Sequence, residues 1–340
     1  MSADLVIARP GLSSTLQDFG RFGYQRFGIS GSGAMDVVAM RIANRLVGNA
    51  PGAAAIEMTM TGFSATVAGG DCLLAVAGAE MPVAINGRRA EGWRSFLLHD
   101  GDRIEIGAAA AGVYAYVAAA GGFAVAPTLG SQSTHSRSGI GGFEGRALRT
   151  GDRLPVVGAS AGDECSLPAD RRPRYDGPIR VVRGPQDDKF TPAGIATFLN
   201  SGYSITNRTD RMGAQLEGPA IEHADGFNIV SDGIVNGSIQ VPGNGRPLVL
   251  LADRQTTGGY PKIATIIGAD LPKIAQRRPG EAVRFVAVNV AEAVEAARER
   301  ERALEAALDS IRRVAFAASD LSAERLLSVN LIAGVCSALD

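Results

Sequence analysis

Several things are scarce in this 340-residue chain. It has only three cysteines, Cys72, Cys165 and Cys336, far apart and odd in number. They form no CxxC pair, no zinc-type spacing and no disulfide framework, so a reduced, cytoplasmic setting is the expectation. The three histidines, His99, His135 and His223, are equally isolated, and no HExxH occurs. No metal site is therefore expected. Charge of one sign is missing too: 34 basic against 35 acidic side chains leave a net charge of −1. That excludes a basic nucleic-acid footprint and a polyelectrolyte tail. No apolar run reaches the roughly 18 residues a membrane span needs, and Ala108–Ala120 is too short. The N-terminal residues lack the basic start and apolar core of a secretion signal, so no export or membrane insertion is expected.

Lysine is the scarcest charged residue. Lys189, Lys262 and Lys273 stand against 31 arginines. None follows a glycine, so there is no Walker A loop. None sits in a Met-Lys-Met hairpin, so the chain is not expected to carry its own biotin. No GxGxxG opens a helix after a strand. One GxSxG occurs, Gly158–Gly162, but it lies in a Pro-bounded, linker-like stretch and reads as a loop rather than a nucleophile turn.

What is abundant is glycine, 43 residues, or nearly twice the usual ~7%. Short apolar runs broken by Gly, Asn and Asp predict strands at 4–9, 72–76, 81–85, 103–106 and 113–118. After a Gly/Ser/Asp/Pro-rich stretch at 158–178, further strands are expected at 179–182, 227–231, 239–241, 247–252 and 282–288. Such spacing favours a barrel or sandwich. Helical spacing predicts a helix over 34–47 and a weaker one over 190–199. Val290, Val294, Ala297, Leu304, Leu308, Ile311 and Ala315 form a stripe predicting one long amphipathic helix, with a second at about 323–339. The pair either packs on its own barrel or docks another protein chain.

Four polar, Gly-rich stretches carry the chemistry. The first holds Gln17, Asp18 and Arg21, then Asp36 and Asn44. The second runs from Gly130 to Thr134 and from Gly141 to Arg146. The third is Asp210–Gly213. The fourth contains Gln240 and then Asp253 to Lys262, with Gln255, Thr256, Gly258, Gly259 and Tyr260. Glycines admit close backbone approach, arginines clamp anions, and Gln and Asn read amide edges. Each also has a plainer reading: Asp18 with Arg21 as a loop-holding pair, Asp36 as a helix cap, Glu57 as structural. We take Arg211 and Arg21 to position anionic groups and Gln240, Gln255 and Asn44 to hold an amide. Lys262 would stabilise a developing oxyanion. Lys262, Gln255 and Arg211 are thus the catalytic candidates. Gln17, Asp18, Arg21, Asp36, Asn44, Gln240, Thr256, Gly258, Gly259 and Tyr260 are the substrate-binding ones.

These stretches, with Thr15–Arg21, Gly33–Asp36, Ala43–Asn49, Gly142–Arg146, Arg211–Gly213 and Gly237–Lys262 in order, resemble the allophanate hydrolase subunit 2, or biotin-dependent carboxyltransferase, family. The resemblance implies a mainly β fold with flanking α/β parts, a cyclophilin-like β-barrel over residues 1–288 with a possible subdomain boundary at 158–178. Residues 289–340 would be a helical extension. It implies the C component of an ATP-dependent 5-oxoprolinase, opening 5-oxoproline to L-glutamate and active only in complex. The implied partners are an allophanate hydrolase subunit 1-type protein (the B component of 5-oxoprolinase) and the A component. ATP would bind an unorthodox site here or a partner chain. The alternatives are a carboxyltransferase for urea or a related amide, served by a separate biotin carrier, and a regulatory partner of a kinase-inhibitor protein.

Overall fold

The computed structural model describes residues 3–157 and 162–314. The GxSxG serine, the helix expected near 323–339 and Cys336 lie outside these residues. The first half is a sandwich of two antiparallel sheets. Six strands form the outer sheet, in the order 153–156, 3–9, 64–68, 103–106, 83–85 and 88–90. Seven form the inner sheet, in the order 14–17, 55–59, 111–119, 72–80, 94–98, 165–166 and 312–313.

The inner sheet is buried on both faces, and its sequence shows why. Along Ala111–Ala119, Ala115, Val117 and Ala119 join the core shared with the outer sheet. Tyr114, Tyr116 and Ala118 point the other way, into the larger core. This is the two-residue period of a strand, written entirely in apolar and aromatic residues. The neighbouring Cys72–Glu80 strand alternates likewise, Cys72, Leu74 and Val76 against Leu73, Ala75 and Ala77. Its Gly78 has φ +120°, beside an irregularity in the pairing with Ala111–Ala115.

Helix α1, Val37–Leu46, packs its buried face (Val38, Ile42, Leu46) onto the inner sheet. Asp36 caps it by accepting from Ala39 N at 3.0 Å, and Gly48 follows its end with φ +75°.

The second half is an eight-stranded sheet, in the order 282–283, 203–209, 213–217, 248–250, 238–240, 262–266, 179–183 and 285–287. Its two edges are consecutive in sequence. The single strand expected at 282–288 is in fact broken at Arg284. Tyr203 pairs with Val283 on one side and Ile179 with Phe285 on the other. One chain segment thereby serves both edges and nearly closes the sheet into a barrel, which leaves no long edge open. Helix α2, Pro192–Asn200, places Phe198 against Phe285, ring centroids 4.8 Å apart.

Further expectations need correcting. Residues 227–231 form no strand: Phe227 and Val230 are exposed, and the pairing falls instead between Asp232–Gly233 and Thr257–Gly258. After the short α3, Leu271–Ala275, helix α4 runs Val290–Asp309 and stops there, with Ile311 beyond it. Its buried stripe is Ala296, Leu304, Ala307 and Leu308, while Val290 and Val294 face solvent. A capping box of Asn289 and Glu292 starts the helix, and its last turns enter the main core.

A Cβ at Gly78 would come within 2.6 Å of Tyr114 O. Gly78→Ala is therefore expected to destabilise the protein in urea unfolding by an amount typical of overpacking, about 1–3 kcal/mol. Leu12→Ala, at an exposed position, should change stability by less than about 0.5 kcal/mol.

Candidate functional site

Where the inner sheet meets the second half, a polar network interrupts the apolar core. Glu57 lies on the strand face that otherwise carries Ala55, and it is buried. Its Oε2 accepts from Met35 N at 2.8 Å and from Tyr116 Oη at 2.7 Å. Its Oε1 accepts from Arg211. Arg211 also grips Asp253 with two N–H groups at 2.9 Å and donates to Gly33 O at 2.8 Å. One guanidinium thus ties strand 55–59, the 18–34 loop, the 210–213 turn and the 252–262 segment.

Burial pushes the Glu57 carboxyl above its usual range, only partly opposed by Arg211. Burial works against the Arg211 charge as well, but Glu57 and Asp253 overcome it and hold the proton firmly. Asp36 is buried beside them and is raised by burial, its Oδ2 accepting from Gln276 Nε2 at 2.8 Å. Gln276 in turn accepts from Val113 N and Tyr114 N, which locks the end of α3 to the inner sheet.

A second cluster surrounds Asp18. Its Oδ1 accepts from Gly20 N, Ser131 Oγ and Ser133 Oγ, and its Oδ2 from Gln132 N, at 2.5–2.8 Å. Asp18 does not pair with Arg21. Arg21 is fully buried and spends its Nε and one terminal nitrogen on the carbonyls of Thr128 and Ser133. Burial pulls its pKa down, and Asp18 and Asp253 partly restore it.

Three buried polar atoms in this cluster have no partner among the described residues: Gln17 Oε1, the other terminal nitrogen of Arg21, and Ser32 Oγ. Buried polar groups are ordinarily paired, so three orphans at the end of strand 14–17 and in the loop that follows it make this cluster a candidate ligand site. The backbone carries strain here as well, since Ser32, Leu129 and Glu144 all hold φ between 52° and 55°.

The third cluster lies on the second barrel. Lys262, itself buried, donates to Asp232 at 2.6 Å and Gly233 O at 3.0 Å. Lys262 first, then Gln186 and Gly233 N, pull the half-exposed Asp232 down to about 2. Gln240 donates to Tyr260 O at 3.1 Å, and a Cβ on Gly258 would meet Gln240 Nε2 at 2.7 Å. Thr256 and Gly259 give carbonyls to Ile234 N and Ile229 N. Arg254 is buried on the carbonyls of Ile234 and Leu251 with no carboxylate bound to it among the described residues. The loop bearing Arg21 touches this segment through Ser30 Oγ, 3.2 Å from Ala252 O.

Gln17, Asp18 and Arg21 therefore come together, as do Gln240, Gly258, Tyr260 and Lys262. The trio assigned to an amide does not. Asn44 is buried at the end of α1, occupied by Ala53 O and Asn49. Gln255 is exposed and faces a separate cleft of about 440 Å³ with Asp210, Gln215 and Leu248. The i+3 and i+4 logic of α1 puts Asn44 on the core side, which residue type alone does not reveal. Arg211 has most of its donors committed to the junction, and Lys262 already has a counter-charge.

Sequence reasoning missed Asp232 and Gln276 as site members, and it held Arg254 and Ser32 only within polar stretches, without a role. Ser131 and Ser133 were visible only as part of a polar run. The one usable signal was Glu57, a carboxylate inside an otherwise apolar strand. Among the described residues no group of three His, Cys, Asp or Glu side chains is placed to hold a metal.

This near-closed β-barrel joined to a β-sandwich is a fold shared with the solved structure of the Kluyveromyces lactis urea carboxylase, TM-score 0.82 at 26% identity. Residues 27–287 match the model of the carboxyltransferase domain, subdomain A and B, and the chain belongs to that family. It is 38% identical to the C component of 5-oxoprolinase from Escherichia coli over 88% of this chain and 96% of that one. The corresponding Haemophilus influenzae protein is 36% identical, over 88% and 95%. Among solved structures, the Kluyveromyces lactis urea amidolyase superposes with a TM-score of 0.82 at 26% identity, over 90% of this chain but only 20% of that one.

These networks make two expectations measurable. Arg211→Met leaves Glu57 and Asp253 without their cation and should cost about 3–5 kcal/mol by urea unfolding, more than Glu57→Gln. Asp152 is depressed chiefly by Arg146, which holds it at 2.7 and 3.0 Å. Wild type should exceed Asp152→Asn in stability at neutral pH, and the margin should vanish as pH falls through the depressed folded pKa.

Proposed function

We propose that this chain is the C component of an ATP-dependent 5-oxoprolinase that opens 5-oxoproline to L-glutamate. It would work with a B component of the allophanate hydrolase subunit 1 type and with an A component. The match to two bacterial 5-oxoprolinase C components over nearly their whole length supports this reading. The observation that carries it at the site is the orphan set Gln17 Oε1, Arg21 and Ser32 Oγ. A lactam acid presents an N–H, a carbonyl and a carboxylate, and these three atoms supply an acceptor, a cationic donor and a hydroxyl to meet them. On this reading Arg21 takes the substrate carboxylate, Gln17 the ring N–H, and Ser32 the carbonyl. Asp18 and Arg211 hold the loops that carry them. Asp36 joins Arg211 in bracing the junction. Lys262 acts through Asp232 at the rim, with Gln240 and Tyr260 shaping the adjoining wall.

ATP is the energy source of this reaction, and the long helices do not fit its phosphates. The N-termini of α1, α2 and α4 are already closed by Asp36, Thr191 and the Asn289–Glu292 box. Nucleotide chemistry would enter through another surface or a partner chain.

A second reading rests on the superposition with urea amidolyase: carboxyl transfer to urea or a related amide from biotin on a separate carrier. The complex, reconstituted from its three components, discriminates the two. We expect 5-oxoproline, not urea, to stimulate ATP hydrolysis with glutamate released and no sensitivity to avidin. Arg21→Lys should lower kcat/KM for 5-oxoproline at least about tenfold, the loss of one charge-assisted hydrogen bond. Urea-stimulated, avidin-blocked turnover would move the assignment to carboxyl transfer.

A further inference from the structure

Beneath α4, away from the Asp18 and Lys262 clusters, lies a groove of about 420 Å³ between α4, α3 and the 171–175 segment. Six cationic side chains line it, Arg171, Arg172, Arg174, Arg180, Lys273 and Arg300, against two carboxylates, Asp270 and Glu299. In a chain of near-zero net charge this local excess is pronounced.

Asp270 is fully spent: Arg180 holds it through two side-chain nitrogens at 2.7 and 2.9 Å, and Lys273 lies 3.3 Å away. Arg171 and Arg172 have only loose, exposed partners, Asp170 at 3.4 Å and Glu91 at 3.8 Å. Arg174 and Arg300 make no ion pair with a carboxylate among the described residues, though one terminal nitrogen of Arg300 donates to Gly268 O. The Nε atoms of Arg172 and Arg300 are buried and without acceptors. The opposite wall is small and apolar, formed by Val38, Ala296, Ala303 and Leu304.

We infer that this groove binds a phosphate-bearing ligand, its phosphates on Arg172, Arg174 and Arg300 and a flat apolar body over the alanine face of α4. Guanidinium groups favour phosphate because their planar donors match two of its oxygens at once. Two buried N–H groups awaiting acceptors fit that geometry, and a partly apolar wall of this size fits an organic ester better than a bare ion. The inference deepens the ATP requirement proposed above, but phosphate binding by this chain is testable without that activity.

The test is calorimetric titration of the full-length chain alone, at low salt and without divalent metal, with pyrophosphate, with ATP and with glutamate as a carboxylate control. Saturable binding of ATP and pyrophosphate, but not glutamate, is expected. Arg174→Glu should weaken both at least about tenfold, the loss of one charge-assisted contact. Arg174 is exposed, so this variant should keep its fold. Arg300→Lys, which keeps the charge but loses the planar donors, should also weaken both. Ala303→Phe should weaken ATP while sparing pyrophosphate, which separates a phosphate ester from free phosphate. No saturable binding of either probe, or binding that Arg174→Glu leaves unchanged, would overturn the assignment, whatever the complex does with 5-oxoproline.

Discussion

The guanidinium of Arg211 is the constraint on which the rest of the molecule depends. It sits between a carboxylate of the sandwich, Glu57, and a carboxylate of the barrel, Asp253, and it caps the carbonyl of Gly33. None of these groups would be stable there alone. A buried carboxylate costs several kcal/mol unless it is paired and hydrogen-bonded, and Glu57 is satisfied from three sides. Stability is therefore a weak reason for the network, since an apolar replacement would serve as well. What it supplies is register: the 18–34 loop, the 210–213 turn and the 252–262 segment can meet in only one arrangement.

That arrangement explains the division of labour among the polar loops. Asp18 gathers the 131–133 segment and Gly20 with four hydrogen bonds and so fixes the frame around Arg21. Arg21 is then held by carbonyls alone. A guanidinium braced by neutral oxygens keeps its charge available, whereas one braced by carboxylates, like Arg211, is neutralised in place. The two arginines look alike in sequence and have opposite uses. The Lys262–Asp232 pair follows the second pattern, and Arg254 the first.

Much of the fold was legible in the residues. The alternation in Cys72–Glu80 and Ala111–Ala119, the capped α1 and the Gly-rich turns all follow from local chemistry. The family resemblance, carried by the motifs from Gln17 to Lys262, agrees with the match of residues 27–287 to the carboxyltransferase domain. A barrel was expected, but the way it closes was not legible. The break at Arg284 arises because one segment must pair at both sheet edges, a demand of topology rather than of residues 282–287. The stripe of α4 was misplaced at its start because Val290 and Val294 are apolar yet face solvent. In the site, residue type identified the polar loops but not their pairings. Whether an arginine meets a carboxylate or a carbonyl is settled by long-range contacts, such as Arg211 with Glu57 across 154 residues.

The central claim is that one ionic cross-link sets the geometry of loops on both halves. Amide hydrogen exchange on Arg211→Met, in conditions where the variant stays folded, tests it most directly. Protection should fall together in 18–34, 131–133 and 252–262, while the sandwich core around Leu74 and Val117 keeps its own. Loss confined to 210–213 and 252–254, with the 18–34 and 131–133 amides unchanged, would contradict it.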